Sequence, residues 1–410
     1  MSVRRTLAAL LVAALCAIAS PAAIARIPSP PSLSAPAAAV FESSTGMPLF
    51  AHAAGQRRLI ASTTKLMTAL VTVSSVRLDR LCTAPPYAAG PLETQIGLHA
   101  GERMRVRDLL RAALLPSAND AAATLAVCVG GSRGAFVARM NRRAAQLGLR
   151  HTHFSTPIGL DDPGNYSTAA DLARLAIAAR GDAFLRQTMR LRSAVLRSGD
   201  HVRTVVNRNS LVQQVPWVDG VKTGHTNAAG YILVASGTRH GTTFVATVLG
   251  DPSEAARNAD ALALLKWAFA SYRVATPVTR GAVYAQPAVK HRPDEHVDVV
   301  ATRSVRELLR RDARLRLVVD VPSELAGPLP PRAVVGSATV RENGRAIARV
   351  PLVTRRAVPE VGLLEQAGRL LDEPGSLVAI VALLAGAAIL LGRARGARRR
   401  ERRQADMEAA

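Results

Sequence analysis

The spacing of hydrophobic residues along the first two thirds of the chain predicts a mixture of helices and strands. Apolar residues at helical intervals predict helices at residues 62–76, 106–115, 121–129, 133–147 and 168–179. Two short apolar runs at 230–237 and 242–250 flank a polar turn and predict a strand pair. A long helix is expected at 253–271, and weaker alternation at 38–50 predicts a hairpin. Together these elements indicate a sizeable α+β domain.

Beyond residue 272 the pattern changes to short β-rich runs that are broken by proline and glycine. These runs are 282–284, 297–302, 315–321, 333–341 and 346–352. Short strands separated by turn residues are typical of a small all-β domain. We therefore expect a first domain at 38–272 and a second, β-rich domain at 273–356, with a Pro-, Ser- and Ala-rich linker at 26–37 before them.

Apolar segments lie near both ends of the chain. Residues 1–25 combine two arginines, an apolar run and a small-residue site at 23–25, which predicts a cleavable secretory signal; a short membrane anchor is the alternative. Residues 376–392 are uncharged and apolar all round, and seven arginines follow within 393–410. This pattern predicts a transmembrane helix with a basic cytoplasmic tail, after an amphipathic juxtamembrane segment at 357–375. An interfacial helix is the alternative at this end.

The protein is strongly basic, with a formal net charge of +23. In a cytosolic protein this charge would suggest binding to nucleic acid. The secretory signal and the aromatic content of 3% point instead to anionic wall polymers or lipid head groups, or to a solvated basic surface. We expect no nucleic-acid partner, and we expect the protein at the extracytoplasmic face of a bacterial cell membrane.

Two cysteines, Cys82 and Cys128, remain once the signal segment is removed. An exported protein enters an oxidising compartment, where disulfides form and persist. The two residues are therefore expected to form either a disulfide or two buried thiols.

Lysine is rare in this chain. Of 53 lysine and arginine residues only four are lysines, and Lys65 alone has a serine, Ser62, three residues before it. The two side chains share one face at a predicted helix start, where free N–H groups favour developing negative charge. A serine hydroxyl is a weak nucleophile until a neighbour takes its proton, which a desolvated lysine can do and an arginine cannot. The pair predicts a nucleophile and its general base; an ordinary helix start is the alternative.

Two further short motifs each occur once. Ser117-Ala118-Asn119 lies in a break between predicted helices, where a helix N-cap is the plain alternative. Lys222-Thr223-Gly224 precedes the predicted strand pair, and on a strand it can receive a carboxylate-bearing peptide; a surface turn is the alternative. Three single motifs in this order favour one common site.

The three motifs resemble those of penicillin-binding proteins and class A β-lactamases. The likeness is closer to the low-molecular-mass D-alanyl-D-alanine carboxypeptidases, and it is carried by the segments ASTTKLMTAL, LLPSANDAA, MNRRAAQLGL, THFSTPIGLDD, YSTAADLA and VDGVKTGHTNAAGY. The resemblance implies a DD-peptidase/β-lactamase-like catalytic domain, an antiparallel sheet flanked by helices plus a helical subdomain. The small all-β domain, which LAGPLPPRAVVGSATV loosely resembles, and the C-terminal transmembrane helix follow it. Many members have an amphipathic anchor there instead.

The resemblance also implies a reaction. The enzyme would remove the terminal D-alanine from peptidoglycan pentapeptides through an acyl-enzyme, with no cofactor and no metal. Ser62 would be the nucleophile, Lys65 its general base, and Ser117 the relay that passes a proton to the leaving D-alanine.

Substrate contacts carry over in the same way. Asn119 would hold the peptide backbone, and Lys222 and Thr223 would bind the terminal carboxylate. Gly224 completes that motif, and the backbone N–H groups of Ser62 and His225 would hold the oxyanion. The expected partners are peptidoglycan stem peptides, β-lactams as covalent inhibitors, and the cell membrane.

Other functions are less well supported by the residues. A DD-endopeptidase or transpeptidase on the same scaffold stays open, because the outcome depends on whether water or an amine enters. A class A β-lactamase needs a deacylating glutamate, and no glutamate lies between Ala121 and Val221. A non-catalytic wall-binding module would not need to keep its rare lysines, and a zinc peptidase would need an H-E-x-x-H motif, which the chain lacks.

Overall fold

The structure is a computed structural model of the 410-residue chain. It describes residues 27–90, 93–360, 362 and 374–408. The predicted secretory signal at 1–25 and most of the predicted juxtamembrane segment at 357–375 lie outside the described residues. Two compact units are present. The first comprises the described residues up to Arg273 with Leu309–Asp312, and the second comprises Val274–Leu308 and the described residues from Ala313 onward.

The helices are named in chain order. They are α1 Lys65–Ser75, α2 Val106–Leu114, α3 Asn119–Gly130, α4 Arg133–Gln146, α5 Ala169–Gly181, α6 Ala183–Met189, α7 Ser210–Gln214, α8 Glu254–Ser271 and α9 Pro374–Glu408. The strands up to the long helix α8 are β1 Ala37–Glu42, β2 Pro48–His52, β3 Arg58–Leu59, β4 Leu81–Thr83, β5 Arg103–Arg105, β6 Tyr166–Ser167, β7 Ser193–Leu196, β8 Arg203–Val206, β9 Val218–Thr226, β10 Gly230–Arg239 and β11 Thr242–Asp251. The later strands are β12 Tyr272–Val278, β13 Val283–Ala285, β14 Ala288–Val289, β15 Arg292–His296, β16 Val299–Ala301, β17 Val305–Arg310, β18 Leu315–Asp320, β19 Glu324–Leu325, β20 Val334–Glu342 and β21 Arg345–Thr354.

A five-stranded antiparallel sheet forms the centre of the first unit. Its strand order is β2-β1-β11-β10-β9, so the N-terminal hairpin pairs with a strand from the end of the unit. Strand β1 is buried at every position, as are the middle residues of β10 and β11, because helices α5 and α8 pack on the sheet. Strand β9 lies at the edge and has one side without a strand partner among the described residues.

A helical layer lies beside this sheet. Helix α1 contacts α2, α3, α4 and α5 and has eight buried residues, of which Lys65 is the first. Small residues such as Ala112, Ala121 and Ala122 are fully buried between the helices, so the helix axes can approach closely. The layer therefore holds the start of α1 rigidly against the sheet.

The cysteines form a disulfide that joins two parts of the helical layer. Cys82 of β4 is bonded to Cys128 of α3, with 5.5 Å between their Cα atoms. The bond closes a loop across 46 positions of sequence and ties the β4–β5 hairpin to helix α3. Of the two alternatives that the sequence left open, the structure contains the disulfide.

The second unit is built from strands in its described residues 274–360, which contain no helix. A five-stranded sheet has the order β13-β16-β21-β20-β18, and a three-stranded sheet has the order β15-β14-β19. Fully buried Val299, Ala338, Val340, Val350 and Leu352 belong to its hydrophobic core. This is the small β-rich domain that the sequence predicted.

Helix α9 covers the apolar segment at 376–392 and continues through the basic tail as far as Glu408. The sequence predicts a transmembrane helix at 376–392 and a basic cytoplasmic tail at 393–410. Within the described part of the chain, no single helix is long and apolar enough to cross a membrane. One pair, α3 and α4, bent by 86°, meets that test together by length and composition only.

Candidate active site

A cavity of about 570 Å³ in the first unit brings the three motifs together. The predicted site residues that line it are Ser62, Ser117, Asn119, Thr223, Gly224 and His225. The two remaining ones, Lys65 and Lys222, are 0% and 1% exposed and do not belong to the lining. All eight residues therefore lie in one region, although 163 positions separate the first from the last.

The nucleophile and the base predicted from the sequence are in direct contact. A short 3-10 turn at Ala61–Thr64 leads into helix α1, which begins at Lys65 and not at Ser62 as the periodicity suggested. This turn brings Lys65 Nζ to 2.8 Å from Ser62 Oγ. The same ammonium nitrogen donates to the carbonyl oxygen of Ile158 at 2.7 Å, which fixes the direction of the side chain.

Burial makes the ammonium group of Lys65 lose its proton more readily than that of an exposed lysine. Desolvation lowers its pKa from the ordinary value to about 7, Glu93 and Asp120 oppose this shift, and Arg208 adds to it. A lysine with this pKa is largely neutral just above pH 7 and can accept a proton from a neighbouring hydroxyl. The electrostatics of the site are thus those of a general base.

The second lysine is in a comparable environment. Desolvation, followed by the charges of Lys65 and Arg208, lowers the pKa of Lys222 well below its usual range. Its Nζ donates to the carbonyl oxygen of Thr223 at 3.0 Å. A bound carboxylate would raise this pKa, because an adjacent anion favours the charged form of an amine. Lys222 is therefore placed to gain its charge when an anionic group arrives.

Ser117 and Asn119 do not cap the helix that follows them. The N-cap of α3 is Ala118, which has no side-chain capping bond. Ser117 has a left-handed φ of +73°, which a serine adopts at a cost in energy. Its Oγ is buried and has no hydrogen-bond partner among the described residues, so it is free to bond a substrate atom. Helix capping does not explain the motif.

Strand β9 passes close to the backbone of Ser62. A Cβ atom added at Gly224 would lie 3.3 Å from the nitrogen of Ser62 and 3.2 Å from the carbonyl oxygen of Ile60. Only a residue without a side chain fits this approach without a shift. The His225 ring stacks on Tyr231 with 4.0 Å between the ring centroids, which fixes the position of the residue that follows Gly224.

A family model described as D-alanyl-D-alanine carboxypeptidase matches residues 24–253, a range that includes all three motifs. The chain belongs to this family. Two members are D-alanyl-D-alanine carboxypeptidase DacF of Bacillus subtilis and DacA of Escherichia coli. DacF is 27% identical over 80% of this chain and 87% of its own length. DacA is 31% identical over 82% of this chain and 86% of its own.

Solved structures share the fold of this D-alanyl-D-alanine carboxypeptidase family member. Penicillin binding protein 5 from Haemophilus influenzae is 28% identical with a TM-score of 0.63, over 81% of this chain and 100% of that one. The Streptomyces K15 DD-transpeptidase is 33% identical with a TM-score of 0.57, over 59% of this chain and 100% of that one. The DD-peptidase type of fold expected from the sequence is therefore confirmed.

The cavity of this carboxypeptidase family member also contains charged residues that sequence patterns did not indicate. Arg208 and Arg257 add positive charge to the lining, and Glu93 and Glu254 add negative charge. Each lies outside the three motifs, and single arginines carry little signal among 53 lysine and arginine residues. Only the folded chain reveals that they line the same cavity as Ser62.

One group of described side chains outside the cavity has the donors for a metal ion. The ligand atoms of His99, Glu102 and Asp200 lie within 4.8 Å of one another. However, the Glu102 carboxylate accepts hydrogen bonds of 2.7 and 2.9 Å from the Arg203 guanidinium. His99 Nε2 lies 2.6 Å from Asp200 Oδ2. A cation would compete with Arg203, and we therefore interpret the group as an ion-pair network.

Proposed function

We propose that the chain is a serine-type D-alanyl-D-alanine carboxypeptidase that removes the terminal D-alanine of peptidoglycan stem pentapeptides through an acyl-enzyme on Ser62. One observation carries the proposal. Lys65 Nζ is fully buried, has a pKa of about 7 and lies 2.8 Å from Ser62 Oγ. Ser117, Asn119, Thr223 and Gly224 of the other two motifs line the same cavity as Ser62.

Acylation begins with the transfer of a proton. Neutral Lys65 accepts the proton of Ser62 as its Oγ attacks the carbonyl carbon of the penultimate D-alanine. Negative charge then develops on the carbonyl oxygen, and the N–H groups of Ser62 and His225 stabilise it. Each such donor contributes about 3–4 kcal/mol to the transition state.

The intermediate collapses when the peptide nitrogen receives a proton. Ser117 Oγ, which has no other partner among the described residues, relays this proton from Lys65 to the departing amine. The C–N bond breaks, D-alanine leaves, and the shortened peptide stays as an ester on Ser62. Water attacks this ester in the second half of the reaction, and Lys65 again accepts the proton. The bond between the acyl carbon and Ser62 Oγ then breaks, Lys65 returns the proton to Oγ, and the shortened peptide leaves.

Carboxylate recognition makes the enzyme an exopeptidase. Lys222 and Thr223 bind the terminal carboxylate, and Arg208 adds positive charge at the same cavity. An internal peptide bond has no such carboxylate and therefore loses these charge-assisted contacts. Asn119, which lines the same cavity, holds the backbone of the substrate.

A second candidate is transfer of the acyl group to an amine. It is favoured by the likeness to the structure named as a DD-transpeptidase, which is 33% identical to this chain. Incubation with a D-alanyl-D-alanine pentapeptide, with and without a glycine-type amine acceptor, separates the two reactions. Released D-alanine with tetrapeptide as the main product supports hydrolysis, whereas a dominant acceptor-linked product supports transfer. No D-alanine release by the wild type would contradict both.

We also propose that the enzyme works at the extracytoplasmic face of the cell membrane, after removal of a signal at 1–25. The proposal rests on the uncharged segment at 376–392 and the arginines that follow it. The full chain should then sediment with membranes in high salt, and a chain that ends at residue 360 should be released. Equal distribution of both chains in the soluble fraction would contradict the anchor.

A further inference from the structure

Glu93 makes an unusual set of contacts at the rim of the nucleophile's cavity. It follows the β4 strand, lines the cavity, and uses both carboxylate oxygens. Oε1 accepts from the backbone N–H of Gly90 at 2.9 Å. Oε2 accepts from Asn119 Nδ2 at 2.6 Å and from the Tyr87 hydroxyl. None of the proposed catalytic steps uses this carboxylate.

The loop that carries Glu93 is held on the first two residues of helix α3. The backbone N–H of Asn119 donates to the carbonyl oxygen of Thr94 at 2.7 Å. The Asp120 carboxylate accepts from the backbone N–H groups of Ile96 and Leu98, with distances of 3.0–3.2 Å. The first of these bonds satisfies one free N–H group at the start of α3, and together the bonds hold the loop against Asn119 and Asp120.

Glu93 is an anionic acceptor in this arrangement. Burial by itself would raise its pKa, but hydrogen bonds from Tyr87, Gly90 and Asn119 lower the pKa overall. Burial and the neighbouring carboxylate raise the pKa of Tyr87, so its hydroxyl stays protonated and donates. A carboxylate without a proton can pair only with the NH₂ group of an asparagine amide and not with its oxygen.

We propose that Glu93 is a positioning residue that fixes the amide of Asn119 in one of its two orientations. The side-chain amide of asparagine has a broad, roughly two-fold torsion, so an unrestrained amide populates both orientations. The Glu93 bond places Nδ2 toward the loop and leaves Oδ1 without a partner among the described residues. Asn119 can then meet the peptide backbone of the substrate without first reorienting. This inference rests on the proposed function.

Two conservative variants change the contact between Glu93 and Asn119 in different ways. Glu93→Gln keeps the length but replaces the acceptor-only carboxylate with an amide that can also donate. Glu93→Asp keeps the charge but withdraws the carboxylate by one methylene. The rate of acylation by a fluorescent penicillin is measured for each, with melting curves to confirm folding. We expect E93D to be about tenfold slower than the wild type and E93Q at least about threefold slower, because a glutamine amide can pair with either orientation of Asn119.

A double-mutant cycle tests whether Glu93 acts through Asn119. In an Asn119→Ala background, E93D should slow acylation by less than about twofold, because there is no amide left to orient. The proposal is overturned if either variant reacts like the wild type, or if E93D has its full effect without Asn119. Labelling of Ser62→Ala is a separate outcome that would contradict the proposed function and not this contact.

Discussion

The titration of Lys65 should govern the acylation of Ser62. Its pKa is about 7, whereas an exposed lysine has a pKa of about 10.4. At pH 7 about half of a group with pKa 7 is neutral, against about 0.04% of an ordinary lysine, so burial increases the reactive form about 10³-fold. At pH 5 only about 1% would be neutral, and acylation should fall about 50-fold relative to pH 7.

The direction of this dependence follows from the base role. Protonated Lys65 cannot accept the serine proton, so the rate should be low below the pKa, rise through pH 7, and level off above about pH 8. The assay is the pseudo-first-order rate of labelling by a fluorescent penicillin between pH 5 and 9. A second-site control, Glu342→Gln in the β-rich unit, should follow the wild-type profile.

Substitution of Lys65 tests whether this residue must lose a proton or only supply a positive charge. Lys65→Arg keeps a cation with a pKa above about 12, and it should acylate at least about 10²-fold more slowly at every pH. Lys222→Arg is the matched control, because both lysines are buried and receive the same larger side chain. It should keep partial function, since carboxylate binding needs charge and donors only. A flat pH profile, or fast acylation by folded K65R, would refute the reasoning.

Three further predictions concern stability. Burial, and after it the charge of Asp260, raises the pKa of Asp251 to about 7. The folded state therefore binds the Asp251 proton more tightly than the unfolded state does. As a result, the free energy of unfolding should fall as the pH rises from about 4 to 7. Asp251→Asn should flatten this fall and melt above the wild type at pH 8; identical melting profiles would contradict it. Reduction of the disulfide, which spans 46 positions, should lower the free energy of unfolding by about 4 kcal/mol in denaturant titrations, and an unchanged midpoint would oppose this. Gly159→Ala should unfold the site, because φ is +86° and the new Cβ would lie 2.0 Å from the Ala61 oxygen. Gly148→Ala is the control, because Gly148 also has a positive φ, +68°, but has open space around it. It should lower the free energy of unfolding by only about 1–2 kcal/mol. Equal melting temperatures of the two variants would contradict this prediction.

Sequence periodicity was sufficient for the long elements. Helices α1 to α5 and α8, and strands β10 and β11, lie within a few residues of their predicted bounds, because each has a continuous buried face. The hairpin β7–β8 and the short helices α6 and α7 were not predicted. Strands β7 and β8 are four residues each and α7 is five. Elements this short depend on tertiary contacts and not on their own pattern.

The sequence indicated the candidate catalytic residues but not the contacts that hold them in place. Ser62, Lys65 and the two single motifs stand out because their residue types are rare in this order. The 3-10 turn was not visible, because it depends on Ala61 adopting a φ of +45° against Gly159 and Gly224. Glu93 was missed for a similar reason, since its role comes from a partner 26 positions away.

The central claim is that Ser62 forms the acyl-enzyme. The most direct measurement is intact and peptide mass spectrometry of the protein after reaction with a penicillin. We predict one adduct per chain, located on Ser62 and persisting for many minutes, because no glutamate lies between Ala121 and Val221 to promote deacylation. Ser62→Ala, confirmed as folded, should carry no adduct. Stoichiometric labelling of Ser62→Ala, or an adduct of the wild type on any other residue, would contradict the account.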